Sequence, residues 1–282
     1  MLDVILDTLL DCLKMLPILY LAYLLMEYLE QKAGQKLNNA VARVGYAGPA
    51  VGGLLGAIPQ CGFSGAIAGF YAARIVTLGT LIAVFLSTSD EMLPILLSSN
   101  IPLPTILKIL GIKVLGGMVA GFAIDIIMRL CKRGNYVTSV HIHDFCEQEH
   151  CDCHENIFLS ALKHTVKVIV LIFIVSFVLN LIFFLGGDEW LRNIVTSTPV
   201  LGEITVGLVG LIPNCSASVL ITNLFVENVI TPSMMIAGLM TNAGVGLLVL
   251  YRLNKNVKKN LLITLILYVS GVLLGLLSGL FW

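Results

Sequence analysis

Two short segments place a thiol directly after a proline and a carboxamide: Pro59-Gln60-Cys61 and Pro213-Asn214-Cys215. Proline removes a backbone donor and disfavours helix in the residue before it, so each segment is expected to interrupt a helix. Free amides and carbonyls at such an interruption can hold an anion, a polar solute or a cation. Thiols are soft ligands, so Cys61 and Cys215 are candidate ligands of soft metals and trivalent arsenic, with close-packed structural cysteines as the alternative. The polar residues expected to complete this solute site are Ser64, Ser216, Ser218 and Asn242.

A second polar run, Ser87-Thr88-Ser89-Asp90-Glu91, interrupts the apolar stretch 78–97. Carboxylates inside a membrane are costly and mark ion or proton pathways. We therefore predict a proton- or cation-coupling site at Asp90 and Glu91, with Ser87 and Ser89 beside them. The alternative is that the crossing ends near Ser89 and that both acids lie in the headgroup layer.

The polar stretch 133–156 contains a dense set of nitrogen and sulfur donors for zinc or a softer cation. It lacks the paired Cys-x-x-Cys spacing of a folded zinc module, so metal or metalloid capture and a disordered linker are the two interpretations. No cofactor is required, and a metal ion on this loop is the one candidate. The donors are His141, His143, Cys146, His150, Cys151, Cys153 and His154.

The composition decides which elements can hold these residues. The chain has 282 residues, 57% hydrophobic and 12% charged, and its mean hydropathy is +0.95. Apolar runs of about 20 residues cross a bilayer as helices, so the sequence predicts an all-α polytopic membrane protein with the lipid bilayer as its main partner. The formal net charge of zero argues against a nucleic-acid partner.

An internal repeat relates the two interrupted regions. A shift of 154 positions aligns residues 53–91 with residues 207–245 without a gap, and the identities favour Gly, Pro, Cys and Ser over Leu and Val. The acids at 90 and 91 correspond to Gly244 and Val245, which suggests one coupling site and not two. We predict a first repeat at 1–130, a cytoplasmic His/Cys-rich linker at 131–157 and a second repeat at 158–282.

Each repeat is expected to combine long transmembrane helices with a broken, re-entrant hairpin, giving about ten helical segments in all. If the hairpins enter and leave on one side, most Lys and Arg residues fall on one face, which the positive-inside rule makes cytoplasmic. An odd number of crossings per repeat then inverts the second copy. Glu27 and Asp125 lie near the inner ends of their spans and are expected to reach the interface.

These motifs resemble those of an arsenic efflux protein family of ten-transmembrane heavy-metal exporters, relatives of the organoarsenical permeases. The likeness is carried by 56–64, the acidic run 87–91, the His/Cys-rich loop and 210–215, and it covers nearly the whole chain. It implies export of arsenic species or heavy metals across the inner or plasma membrane. Similar chains have also been labelled manganese transporters.

The sequence therefore predicts a secondary active transporter, not an enzyme, that exports a small inorganic or metalloid solute such as trivalent arsenic. No Walker A motif is present, so proton coupling or the solute's own gradient would drive transport. The alternatives are a divalent-cation (manganese) transporter, a transmembrane thiol-redox conductor and an organic-anion or lipid-headgroup carrier. The exact solute, the coupling ion, the direction and assembly into a homo-oligomer stay open.

Overall fold

A computed structural model describes residues 47–58, 61–89, 92–99, 101–131, 202–254 and 256–281, with isolated helical positions between 9 and 24 and between 158 and 181. Within these residues the chain is helical and contains no strand. The first half contributes α1 (Gly48–Gly56), α2 (Cys61–Ala72), α3 (Leu78–Ser87), α4 (Met92–Ser98) and α5 (Leu103–Leu130). The second half contributes α6 (Gly202–Gly210), α7 (Cys215–Val226), α8 (Pro232–Thr241), α9 (Gly246–Leu253) and α10 (Val257–Ser278), followed by a short 3-10 turn.

The two halves repeat one order of elements. Each helix from α1 to α5 begins 154 positions before its counterpart from α6 to α10, the same shift that aligns the sequence. The packing repeats as well: α3 lies between α1 and α5, and α8 lies between α6 and α10. Across the halves, α2 packs on α9 and α7 packs on α4, so each half receives the other's helix in the same way.

Glycines allow the close approach of α3 and α8 to their neighbours. A Cβ on Gly56 would meet the Ser87 side chain, and a Cβ on Gly210 would meet the side chain of Thr241, the residue equivalent to Ser87. On the other side, a Cβ on Gly271 of α10 would lie 2.6 Å from the Thr241 Cγ2. Backbones that touch without side chains between them are typical of helices packed within a membrane.

Burial separates a central from a peripheral layer. Among the residues that the structure describes, four stretches are long and apolar enough to cross a membrane, and two of them, Leu78–Ser98 and Pro232–Leu253, are 75% and 89% buried. The other two, α5 and α10, are 28% and 33% buried and carry rows of exposed leucines suited to lipid. The interrupted pairs α3–α4 and α8–α9 therefore form the centre, and the continuous helices flank them.

A carboxylate lies beside the first turn of each central helix. Thr77 and Thr231 are the equivalent N-caps of α3 and α8, and each accepts a hydrogen bond from a backbone N–H three residues later. Asp125 of α5 accepts hydrogen bonds from the Thr77 Oγ1 at 2.7 Å and the Gly79 N–H at 2.8 Å. The free N–H groups at the start of α3 hold the Asp125 carboxylate inside the protein, where the residue is 8% exposed. The expectation that Asp125 reaches the membrane interface stays a prediction, and Glu27 lies outside the described residues.

In the second half the carboxylate comes from a different residue and accepts from a hydroxyl group. Glu203, in the first turn of α6, accepts a hydrogen bond from the Ser233 Oγ at 2.9 Å, beside the N-cap of α8. The position equivalent to Asp125 is Gly279, which has no side chain. The two halves therefore place an acid at the same helix end from different helices.

Candidate transport site at the helix breaks

The two breaks of the first half lie side by side. α1 ends at Gly56, which packs against Ser87 at the last residue of α3. Beyond the two helix ends the segments are still joined, because Ser89, two residues after α3, donates a hydrogen bond of 2.6 Å from its Oγ to the carbonyl of Ala57, one residue after α1. The proline-cysteine break and the polar run 87–91, which the sequence assigns to a solute site and a coupling site, therefore begin at one place.

The second half shows the same arrangement. A Cβ on Gly210, the last residue of α6, would meet the Gly238 carbonyl and the Thr241 hydroxyl at the end of α8. The Thr241 Oγ1 donates to the Gly207 carbonyl at 2.8 Å, which fixes the two helix ends together. The breaks 211–214 and 242–245 therefore start beside each other, as their counterparts do in the first half.

Lys113 connects the two halves at the ends of α3 and α8. Its side chain is fully buried in the middle of α5, and its Nζ donates to the Thr88 carbonyl at 2.5 Å and to the Leu239 carbonyl at 3.1 Å. Thr88 follows the end of α3, and Leu239 lies in the last turn of α8. One ammonium therefore ties the ends of the central helices of both halves, and with them all four breaks.

Sequence reasoning missed Lys113, although a signal was present. Between Ile109 and Ile124 it is the one charged residue, in the middle of a span, and such residues usually face the interior of a helical bundle. Its equivalent in the second half is Leu267, which is also fully buried. The first half therefore carries Asp90, Glu91 and Lys113 where the second half has no ionisable residue.

The buried side-chain amide of Asn242 has one donor atom that lacks a hydrogen-bond partner among the described residues. It follows the end of α8 and is 2% exposed, and its Oδ1 accepts a hydrogen bond from the Gly244 N–H at 2.8 Å. Within the part of the chain that the structure describes, its Nδ2 has no hydrogen-bond partner. Gly244 has a φ of 52°, in the left-handed region that glycine adopts without strain, which lets the chain turn back onto Asn242. An unsatisfied buried amide is costly and therefore marks a position where a ligand could accept a hydrogen bond.

Most of the predicted site residues that the structure describes are buried at the centre. The buried members are Ser64, Ser87, Ser89, Asn214, Cys215, Ser218 and Asn242, whereas Pro213 and Ser216 are half-buried. Predictions for Pro59, Gln60, Asp90, Glu91, the Cys61 side chain and the seven donors of the His/Cys-rich loop lie outside the described residues.

The donors of several of these residues are already used within their own helices. The Ser87 Oγ donates to the Ala83 carbonyl at 2.8 Å, and the Ser218 Oγ donates to the Cys215 carbonyl at 2.7 Å. Their oxygens can therefore offer only lone pairs to a solute. Cys215 is buried at the first residue of α7, whereas Cys131 is exposed after the end of α5. Among the described residues, no three His, Cys, Asp or Glu side chains form a group that could hold a metal.

The comparisons with known proteins agree with this architecture. Residues 2–187 match the ArsP_2 family, described as "Putative, 10TM heavy-metal exporter". The match covers more than half of the chain, so this chain belongs to that family, and it is a multi-pass helical membrane protein. The resemblance predicted from the sequence motifs is confirmed. No curated protein and no solved structure matches the chain.

Proposed function

We propose that this protein is a secondary active transporter that exports a heavy metal or metalloid, such as trivalent arsenic, through a central site at the four helix breaks. The observation that carries the proposal is the meeting of these breaks around Lys113, with Asn242 presenting an unsatisfied donor beside them. Interrupted helices inside a membrane protein survive where they line a ligand or a water-filled cavity. Family membership independently favours export of a heavy metal.

We further propose that the repeats, 1–130 and 158–282, have opposite orientations in the membrane, with α1–α2 and α6–α7 as re-entrant hairpins. Two observations support this. The reciprocal packing of α2 on α9 and of α7 on α4 is what a pseudo-two-fold axis between the halves would generate. Gly48 packs on Thr80 and Gly56 on Ser87, so α1 runs alongside α3 in the same direction, and α2 must return toward the start of α3. The His/Cys-rich linker, 131–157, is then cytoplasmic.

The thiols and the carboxylates make different predictions for the solute. Cys61 and Cys215 suit trivalent arsenic or a soft metal, whereas Asp90 and Glu91 suit a hard divalent cation such as Mn²⁺. If the solute is an arsenical, the carboxylates are left for proton coupling. The linker donors from His141 to His154 would capture metal on the cytoplasmic side before transport, which is expected to lower the half-saturating concentration without setting the maximal rate.

The test is accumulation in inside-out membrane vesicles supplied with arsenite, methylarsenite, Mn²⁺ or Zn²⁺, with and without a pH gradient. The expected result is accumulation of at least one of these solutes that vesicles without the protein do not show. Loss of arsenical transport in the Cys61→Ser/Cys215→Ser variant, with a smaller effect of Asp90→Asn, would identify a thiol site. If Mn²⁺ transport falls more in Asp90→Asn than in Cys61→Ser/Cys215→Ser, the carboxylates are identified as the ligands.

Two results would replace the proposal. A reversible disulfide between Cys61 and Cys215 that is required for activity would favour a thiol-redox conductor. Transport of an organic anion that is unaffected by both cysteine substitutions would favour a carrier that uses the helix ends. Absence of accumulation for the whole panel in both gradients would contradict metal or metalloid export.

A further inference from the structure

The ends of the two central helices present carbonyl oxygens that the backbone leaves without helical partners. In a continuous helix, the Thr88 carbonyl would accept from the Met92 N–H, but that N–H donates to the Ser89 carbonyl at 3.0 Å. Leu239 lies in the last turn of α8. In a continuous helix its carbonyl would accept from the N–H of Ala243, but α8 ends at Thr241. Carbonyls in such last turns carry the negative end of the helix dipole and need a donor or a cation.

Lys113 supplies that cation from within the protein. Its Nζ reaches both carbonyls at once, one from each half, and its side chain is fully buried. A buried ammonium inside a membrane protein is costly, and the packing of the span does not require it, because Leu267 fills the equivalent position of α10. The charge therefore serves the two helix ends, which Leu267 could not do with an apolar side chain.

We propose that Lys113 is a built-in cation, and that its ammonium occupies a monovalent-cation site formed by carbonyl oxygens at the ends of α3 and α8. Backbone carbonyls at broken helices coordinate Na⁺ in membrane transporters, and they are hard oxygen ligands suited to Na⁺ or K⁺. Removal of the ammonium leaves this site for a free cation from solution. The wild-type protein needs no such ion, because the site is already filled. This inference does not depend on which solute is exported.

The test measures thermal unfolding of the purified, detergent-solubilised protein in NaCl, KCl, LiCl and choline chloride at equal ionic strength. Wild type and Lys113→Arg are expected to unfold at one temperature in all four salts. Lys113→Ala, which removes the charge and leaves room, is expected to unfold at least about 3 °C higher in NaCl or KCl than in choline chloride. Lys113→Met fills the space without charge and is expected to show a smaller ion-specific shift.

The matched control is Lys108→Ala, which removes the same charge from an exposed position of the same helix and should show no ion-specific shift. Equilibrium binding of radioactive sodium gives a second readout, with saturable binding expected for Lys113→Ala and none for the wild type. Equal behaviour of Lys113→Ala in all four salts, including failure to fold in each of them, would overturn the proposal. The proposal would also be overturned if the unfolding temperature of the wild type were higher in NaCl or KCl than in choline chloride. None of these results requires transport, so the inference can fail while the proposed export stands.

Discussion

The hydroxyl of Ser89 and the carbonyl of Ala57, 2.6 Å apart, join the two breaks of the first half across 32 positions of sequence. The contact connects the segment that follows α1 to the segment that follows α3, and Ser89 is almost fully buried. It therefore fixes the proline-cysteine break relative to the acidic run. Movement of one break would be transmitted to the other through this bond.

We expect Ser89→Ala to lower transport more than it lowers stability. Loss of one buried hydrogen bond costs about 1 kcal/mol, but the relative position of the two breaks would no longer be fixed. Transport rate per folded molecule is expected to fall several-fold in vesicles. Ser98→Ala is the control, since the Ser98 hydroxyl donates only to the nearby Ile95 carbonyl in an exposed turn. Equal transport by the two variants would contradict the role given to Ser89.

Because α6 and α8 approach closely at Gly210, we expect a single methyl group added there to destabilise the protein. Gly210→Ala would place a Cβ against backbone and side-chain atoms of α8, which cannot move without shifting that helix. The expected destabilisation is about 1–3 kcal/mol. Gly111→Ala is the matched control, because the Cβ it would add to α5 has no atom of another described residue within 4 Å, apart from its chain neighbours and the nearby backbone of α5. Thermal unfolding in detergent checks this prediction, and similar unfolding temperatures for both variants would refute the packing.

Asp125 is expected to act as a structural cap and not as a proton carrier. Asp125→Ala removes the acceptor for the Thr77 hydroxyl and the Gly79 N–H and is expected to cost about 1–3 kcal/mol. Asp125→Asn keeps one acceptor oxygen and should lose less stability. Transport per folded molecule should remain near that of wild type for both variants. Glu227→Gln, at an exposed carboxylate after α7, is the stability control. Loss of proton-driven transport in a stable Asp125→Asn protein would contradict this assignment.

Replacement of Asn242 is expected to change the stability of the protein little and to lower transport strongly. Asn242→Ala removes a buried donor without a partner among the described residues, which stabilises the fold. It also removes the acceptor of the Gly244 N–H, which destabilises the fold by a similar amount. The free energy of unfolding should therefore change by less than about 1 kcal/mol, while transport falls at least about tenfold. Asn260→Ala, at the start of α10, is the matched comparison. Its Nδ2 donates to the Asn254 carbonyl at 2.7 Å, and its buried Oδ1, like the Asn242 Nδ2, has no hydrogen-bond partner among the described residues. The free energy of unfolding should again change by less than about 1 kcal/mol, but transport per folded molecule should persist.

The sequence was sufficient for the breaks and for the repeated order of helices. Proline and glycine act through the local backbone, so α6 ends at Gly210 and α7 begins at Cys215, on either side of Pro213, as predicted. The break between Ser87 and Met92 was predicted from a different signal, the polar run 87–91 inside an apolar stretch. Leu103–Leu130 was recognisable as a span from its length and hydropathy alone.

The contacts between helices could not be predicted in this way. Both Lys113 and Asp125 belong to α5, and the pattern of apolar residues along a membrane helix does not show which face meets protein and which meets lipid. Their roles depend on the ends of α3 and α8, which approach α5 only in the folded molecule. The unsatisfied amide of Asn242 is likewise visible only once its surroundings are placed.

The central claim is that an exported solute passes the break at which α7 begins. The most direct test is alkylation of Cys215 by a membrane-permeant maleimide in a chain that keeps Cys61, Cys131 and Cys215 and carries serine at the other four cysteine positions. Labelling is measured at each cysteine by peptide mass spectrometry, with and without a solute that the vesicles accumulate. Saturating solute is expected to slow labelling of Cys215 several-fold and to leave labelling of the exposed Cys131 in the same protein unchanged. Equal labelling of Cys215 with and without solute, or no labelling under either condition, would contradict the account.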